Sequence, residues 1–178
     1  MRRDAKTLGA LALCLGMTLA AGTAAAQQTD AEILGHELAA NQGEVQLGQY
    51  MASHTSNASV RSYATLLVRD HQSGVQQVRS AARSARITPA TSAETGPRHD
   101  TQEIMDSVRA RSGTARDRAF IDHAVGDHRK DISDTEEAIR HARAPAVKRM
   151  LQASLPTLRT HLRRAEALQR ELRPRRGR

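Results

Sequence analysis

Between Asp30 and Leu172 apolar residues recur at alternating steps of four and three. That spacing keeps one face of a helix turned toward a core. The first such helix, Asp30 to Ser53, carries Leu34, Leu38, Asn41, Val45, Gly48 and Ala52 on its seam. Thr55-Ser56-Asn57 is a polar break made of residues that suit a helix N-cap. A second helix runs to about Arg86, with Val60, Ala64, Leu67, His71, Gly74, Val78, Ala81 and Ala85 on its seam. The longest interruption, Ile87 to about Arg98, holds Pro89, Gly96 and Pro97, and a short helix is expected over Asp100 to Arg111. A third long helix starts near Thr114 with the seam Ile121, Val125, His128, Ile132, Thr135 and Ile139. Ala144-Pro145 breaks it, and Pro at a first helical position starts the fourth. The seam there is Val147, Leu151, Ser154, Leu158, His161, Ala165, Leu168 and Leu172.

Short breaks join helices one to two and three to four, so each pair is expected to be antiparallel. The pattern predicts an all-α, ferritin-like four-helix bundle over residues 27–172, with the long middle connection and its extra helix between helices two and three. One domain is the expectation at this length. No strand pattern competes. Pro156 falls inside the fourth helix and predicts a kink.

Three histidines interrupt the seams. His128 lies 16 residues before residue 144 and His161 lies 16 after residue 145, so an antiparallel pair sets them at one height. By the same count from residue 55, His71 is level with residue 39. At about 1.5 Å per residue, Asn41 is within a turn of that level and Glu44 somewhat over one turn away. Val68-Arg69-Asp70-His71 and Val125-Gly126-Asp127-His128 share a Val-x-Asp-His pattern. Two readings stay open: a structural polar layer, or a metal site using His71, His128 and His161 with Glu44, Asp70 or Asp127 as ligand or orienting partner. Neutral imidazole suits Zn, Cu, Fe or Ni. The bundle di-iron pattern needs Glu-x-x-His on two helices, and no Glu-x-x-His occurs in the sequence. His36, His54 and His99 are expected to face water, and His123 with Asp127 to form a surface pair. No nucleophile elbow or Gly-rich phosphate loop is present, so covalent catalysis has no support.

Composition narrows the setting. Arg2, Arg3 and Lys6 precede an apolar run from Leu8 to Ala21, and Ala24-Ala25-Ala26 is a small-residue cleavage site. That order predicts a secretory signal peptide over residues 1–26 and a periplasmic or secreted bacterial protein. The run is shorter than the roughly 20 residues a spanning helix needs. Cleavage would remove the single cysteine, Cys14, which excludes a disulfide framework within the mature chain. Aromatics at 2% argue against a stacking platform for single-stranded nucleic acid.

Several segments taken together resemble a bacterial exported family, domain of unknown function 4142. They are Asn41-Gln-Gly-Glu44-Val-Gln-Leu-Gly48, Val60 to His71, Ser112-Gly113, Asp117-Arg-Ala-Phe-Ile121, His128, and Leu155-Pro156-Thr-Leu-Arg-Thr-His161-Leu162. The resemblance spans about Asp30 to Leu172 and implies a ferritin-like fold and an exported location, without an established activity. Arg116 stands where an aromatic residue commonly precedes the Asp.

Charge divides the mature chain. Residues 27–138 hold 12 basic and 16 acidic residues, whereas residues 139–178 hold 12 and 2. The fourth helix and the tail 173–178, expected to be disordered, thus form a cationic end suited to an anionic envelope surface. The leading expectation is a non-enzymatic exported bundle protein, with a transition metal such as Zn, Cu or Fe as candidate cofactor. The alternatives are a metal-dependent redox enzyme and an envelope-interaction module.

Overall fold

The computed structural model describes residues 28–173. The expected signal peptide, 1–26, lies outside the described residues, as do 174–178 of the tail. Five α-helices follow one another: α1 Asp30–His54, α2 Ala58–Ala85, α3 Thr95–Arg109, α4 Gly113–His141 and α5 Pro145–Leu172. A 3-10 turn, Thr91–Glu94, precedes α3, and no strand occurs among the described residues.

Local chemistry sets the boundaries. Thr29 and Glu32 form a reciprocal capping box that starts α1. The Asn57 Oδ1 accepts from the amides of Ser59 and Val60 at 2.9 and 3.2 Å and starts α2. α3 begins five residues before its expected start because Pro97 falls in its first turn, where the missing amide costs no helical bond. α5 remains helical through Pro156.

Contacts fix the helix directions. A Cβ on Gly48 would meet Ala64 and Val68, and one on Gly74 would meet Asn41, so α1 and α2 run antiparallel at close approach. Arg159 pairs with Glu136 at 2.8 Å, and Gln169 donates to Asp122 at 2.8 Å, which sets α5 antiparallel to α4. Buried Leu67 shares one apolar cluster with Ala165 and Leu168, and Val78 shares another with Val147 and Leu151, so α2 and α5 are also antiparallel. α2 and α4 consequently point the same way, and the connection between them travels the length of the molecule. Both ends are tied. The Asp30 carboxylate accepts from the amides of Arg143 and Ala144 in the α4–α5 turn. Arg116 donates to the carbonyls of His54, Val108 and Arg111 and so ties the end of α1 and the end of α3 to the start of α4.

The core is split. One cluster holds Leu47, Met51, Tyr63, Leu67, Phe120, Ile121 and Leu168, with Ile104 and Val108 from α3. The other holds Ile33, Leu34, Val78, Ala138, Val147 and Leu151. Each fully buried aliphatic side chain contributes about 1.5–3 kcal/mol. Between the clusters every long helix turns polar, at Asn41 and Glu44, His71, His128 and His161. Buried polar groups cost stability unless partnered, so this layer needs its own account.

The α1 seam differs from the expected one. Val45 and Ala52 are only half-buried, whereas Ile33, Gly43, Glu44, Leu47 and Met51 are buried. α1 packs on α2 along one side and on α3 and the 3-10 turn along another, so it has two buried faces instead of one stripe.

Candidate metal centre

His71, His128 and His161 come from α2, α4 and α5 and are 6%, 0% and 0% exposed. Their rings lie 5.2 to 5.9 Å apart, and one nitrogen of each falls within 4.8 Å of the other two. Each ring also has a partner on its far side. His128 Nδ1 donates to the Ala124 carbonyl at 3.0 Å, and His161 Nε2 to the Asp70 carboxylate at 2.9 Å. His71 Nδ1 meets Asn41 Oδ1 at 3.0 Å. The Asn41 amide nitrogen donates to the Glu37 carbonyl at 2.7 Å, which leaves its oxygen for the histidine.

These partners are all acceptors, so each imidazole spends its N–H outward. With that tautomer on all three rings the inward nitrogens carry lone pairs. His128 Nε2 and His161 Nδ1 stand 3.2 Å apart, and no hydrogen-bond partner among the described residues reaches His71 Nε2. Electrostatics agrees with neutral rings. Burial, reinforced by the other two histidines, holds His71 well below the usual imidazole range. Burial and the neighbouring His161 push His128 down to about 4. Burial also lowers His161, against the opposing pull of Asp70. Burial alone would raise Asp70, but Arg69 and His161 outweigh it and keep the carboxyl below its ordinary value.

Glu44 and Asp127 do not join this trio. They group instead with His123, one oxygen or nitrogen of each lying within 4.8 Å of the others. That corrects two expectations. Glu44 and Asp127 sit over a neighbouring cavity, and His123 is half-buried in its wall and not a surface residue. His36 is likewise half-buried there, whereas His54 and His99 are exposed as expected. The sequence signal for this second group was the four-residue spacing of His123, Asp127 and Asp131, with Glu37 and Glu44 seven apart on α1. α5 exposes Arg149, Arg163, Arg164 and Arg170, while Arg159 is held by Glu136.

A family model described as "Domain of unknown function (DUF4142)" matches residues 16–168. The chain belongs to the DUF4142 family. Its fold is similar to the crystal structure of a candidate secreted protein, DUF305, from Streptomyces coelicolor, with a TM-score of 0.69 at 13% identity. The match covers 84% of this DUF4142 chain and 96% of the other. At that identity the likeness speaks to the helical fold alone. No curated protein matches the chain. None of the helices among the described residues is long and apolar enough to cross a membrane.

Proposed function

We propose that this DUF4142 protein is an exported, ferritin-like four-helix-bundle protein that binds one first-row transition-metal ion through His71, His128 and His161. The bundle reading is supported by two antiparallel helix pairs joined by a lengthwise connection, and export by the signal-like residues 1–26. The carrying observation for the metal is the direction of the three rings. Every outer nitrogen lies against an acceptor, and one nitrogen of each ring falls within 4.8 Å of the other two.

A metal-free arrangement satisfies this layer poorly. If His161 Nδ1 donated to His128 while neutral, its Nε2 lone pair would face the Asp70 carboxylate. A doubly protonated His161 would resolve that contact, but burial opposes it, and His71 Nε2 would still lack a partner. A cation satisfies all three nitrogens. Two nitrogens each about 2.0–2.1 Å from a tetrahedral zinc are roughly 3.3 Å apart, close to the 3.2 Å between His128 and His161. Three neutral imidazoles select Zn, Cu, Ni or Fe over Mg or Ca. Asp70, Asn41 and the Ala124 carbonyl orient the rings without being ligands.

The test is metal uptake by the purified mature chain after chelation. The wild type is expected to take up Zn(II), and Co(II) with a tetrahedral visible spectrum, and His128→Ala/His161→Ala to lose one equivalent of each together with that spectrum. Equal uptake and an unchanged cobalt spectrum in a folded double variant would overturn the proposal.

A further inference from the structure

α1 and α4 line most of a partly open cavity of about 80 Å³ that α3 covers from one side through Pro97, Thr101 and Ile104. α3 can lie this close because residue 43 is Gly: a Cβ there would come within 2.0 Å of the Thr101 hydroxyl. A water needs on the order of 10–15 Å³ of such space, so the cavity has room for an ion with part of its hydration shell. Its walls are strongly acidic. Glu37, Glu44, Asp100, Asp127, Asp131 and Asp134 line it against one lysine, Lys130, whose amine is already engaged with Asp134.

Glu44 is the decisive side chain. It is 7% exposed, lines the cavity, and its Oε2 is sealed from solvent with no hydrogen-bond donor among the described residues. The Asp127 carboxyl stands beside it, so with both ionised there are only acceptors on either side. His123, one turn before Asp127 on α4, brings an imidazole nitrogen within 4.8 Å of both carboxylates. Two carboxylates and one imidazole beside this cavity form a donor set for a hard to borderline divalent cation, such as Mn(II) or Fe(II).

We propose that Glu44, His123 and Asp127 form a second cation site, separate from the three-histidine centre, which holds one such divalent ion with water completing its shell. His71 lines the same cavity, so the two sites share one internal space while differing in ligand chemistry.

Mn(II) is the probe, because a hard ion disfavours the all-imidazole centre. Electron paramagnetic resonance of free Mn(II) measures uptake by the mature chain, and circular dichroism checks that each variant is helical. One Mn(II) is expected in the wild type and in His128→Ala/His161→Ala. Binding should weaken at least 10-fold in Glu44→Gln/Asp127→Asn and in His123→Ala, both of which should still take up zinc at the other centre. Wild-type-like Mn(II) uptake by folded Glu44→Gln/Asp127→Asn, or no uptake by the wild type, would overturn the second site. Loss of Mn(II) in His128→Ala/His161→Ala would likewise overturn it by assigning the ion to the histidines. Failure of the three-histidine reading shows separately, as zinc uptake and a cobalt spectrum unchanged by His128→Ala/His161→Ala while Mn(II) uptake is retained.

Discussion

The three-histidine centre and the acidic cavity occupy the same polar layer, within reach of a single histidine, His71. They are built on opposite principles. Around the histidines each outer nitrogen has its own acceptor, and the rings are fixed in orientation before anything binds. Around Glu44 the carboxylates crowd one another, and neutralisation has to come from protons or from a cation. Burial, with Asp127 and Asp131 beside it, raises Glu44 well above its ordinary value, and burial does the same to Asp131 with help from Asp127 and Glu37. Preorganised orientation favours one geometry. Crowded charge favours any cation that fits. The first region should therefore discriminate among metals and the second should not.

Breaking the orientation is the strongest way to test that contrast. Asp70→Ala removes the acceptor that holds His161 without touching an inward nitrogen. Loss of such a partner costs roughly 10–100-fold in metal affinity, so zinc binding should weaken by that range while Mn(II) binding in the cavity is unchanged. A parallel loss of both would show that the two regions are one site, measured by competition against a chelator of known affinity.

A smaller effect is expected at Gly74. A Cβ there would sit 2.1 Å from Asn41 Oδ1, the atom that meets His71 Nδ1. Gly74→Ala should push Asn41 away and weaken zinc binding about 10-fold, the lower end for a lost orienting partner. The same change favours the α2 helix by about 1 kcal/mol in intrinsic propensity. Overpacking the α1–α2 contact offsets that gain by about 1–3 kcal/mol, so thermal unfolding of the metal-free protein should be unchanged or modestly lowered, and the loss of affinity is read on protein that circular dichroism shows to be folded.

The histidine layer was legible because helix arithmetic carries it. Equal distances from the Ala144-Pro145 break set His128 and His161 level, and the count from residue 55 placed Asn41 within a turn of His71. The cavity was not legible, since it depends on where α3 lies. Spacing along α4 shows that His123, Asp127 and Asp131 share a face, but not that α3 covers that face from one side. The start of α3 was obscured for a related reason: Gly96-Pro97 reads as a break, although Pro in a first turn is compatible with a helix. The α1 register was missed where a seam of Gly and Ala leaves little apolar contrast between its two buried sides.

The least drastic test of crowded charge is Glu37, which lines the cavity without being one of the proposed ligands. Burial first, and then repulsion from Asp134, raise its carboxyl from 4.5 to about 7; Asp131 faces it from the same helix. Between those values the folded protein holds a proton that the unfolded chain has released. The contribution of Glu37 to the stability of the metal-free protein should therefore fall as pH rises from about 4.5 to about 7 and stay at the lower level above it, while the three histidines, lowered by burial, contribute in the opposite sense over that range. An unscreened shift of that size corresponds to about 3 kcal/mol. Glu37 is only half-buried, and solvent screening reduces this to about 1 kcal/mol. Glu37→Gln should remove that part of the slope and unfold at higher denaturant concentration than wild type at pH 8, with the two converging near pH 4.5. Parallel pH profiles would mean that Glu37 ionises without strain, leaving the charge crowding confined to Glu44, Asp127 and Asp131.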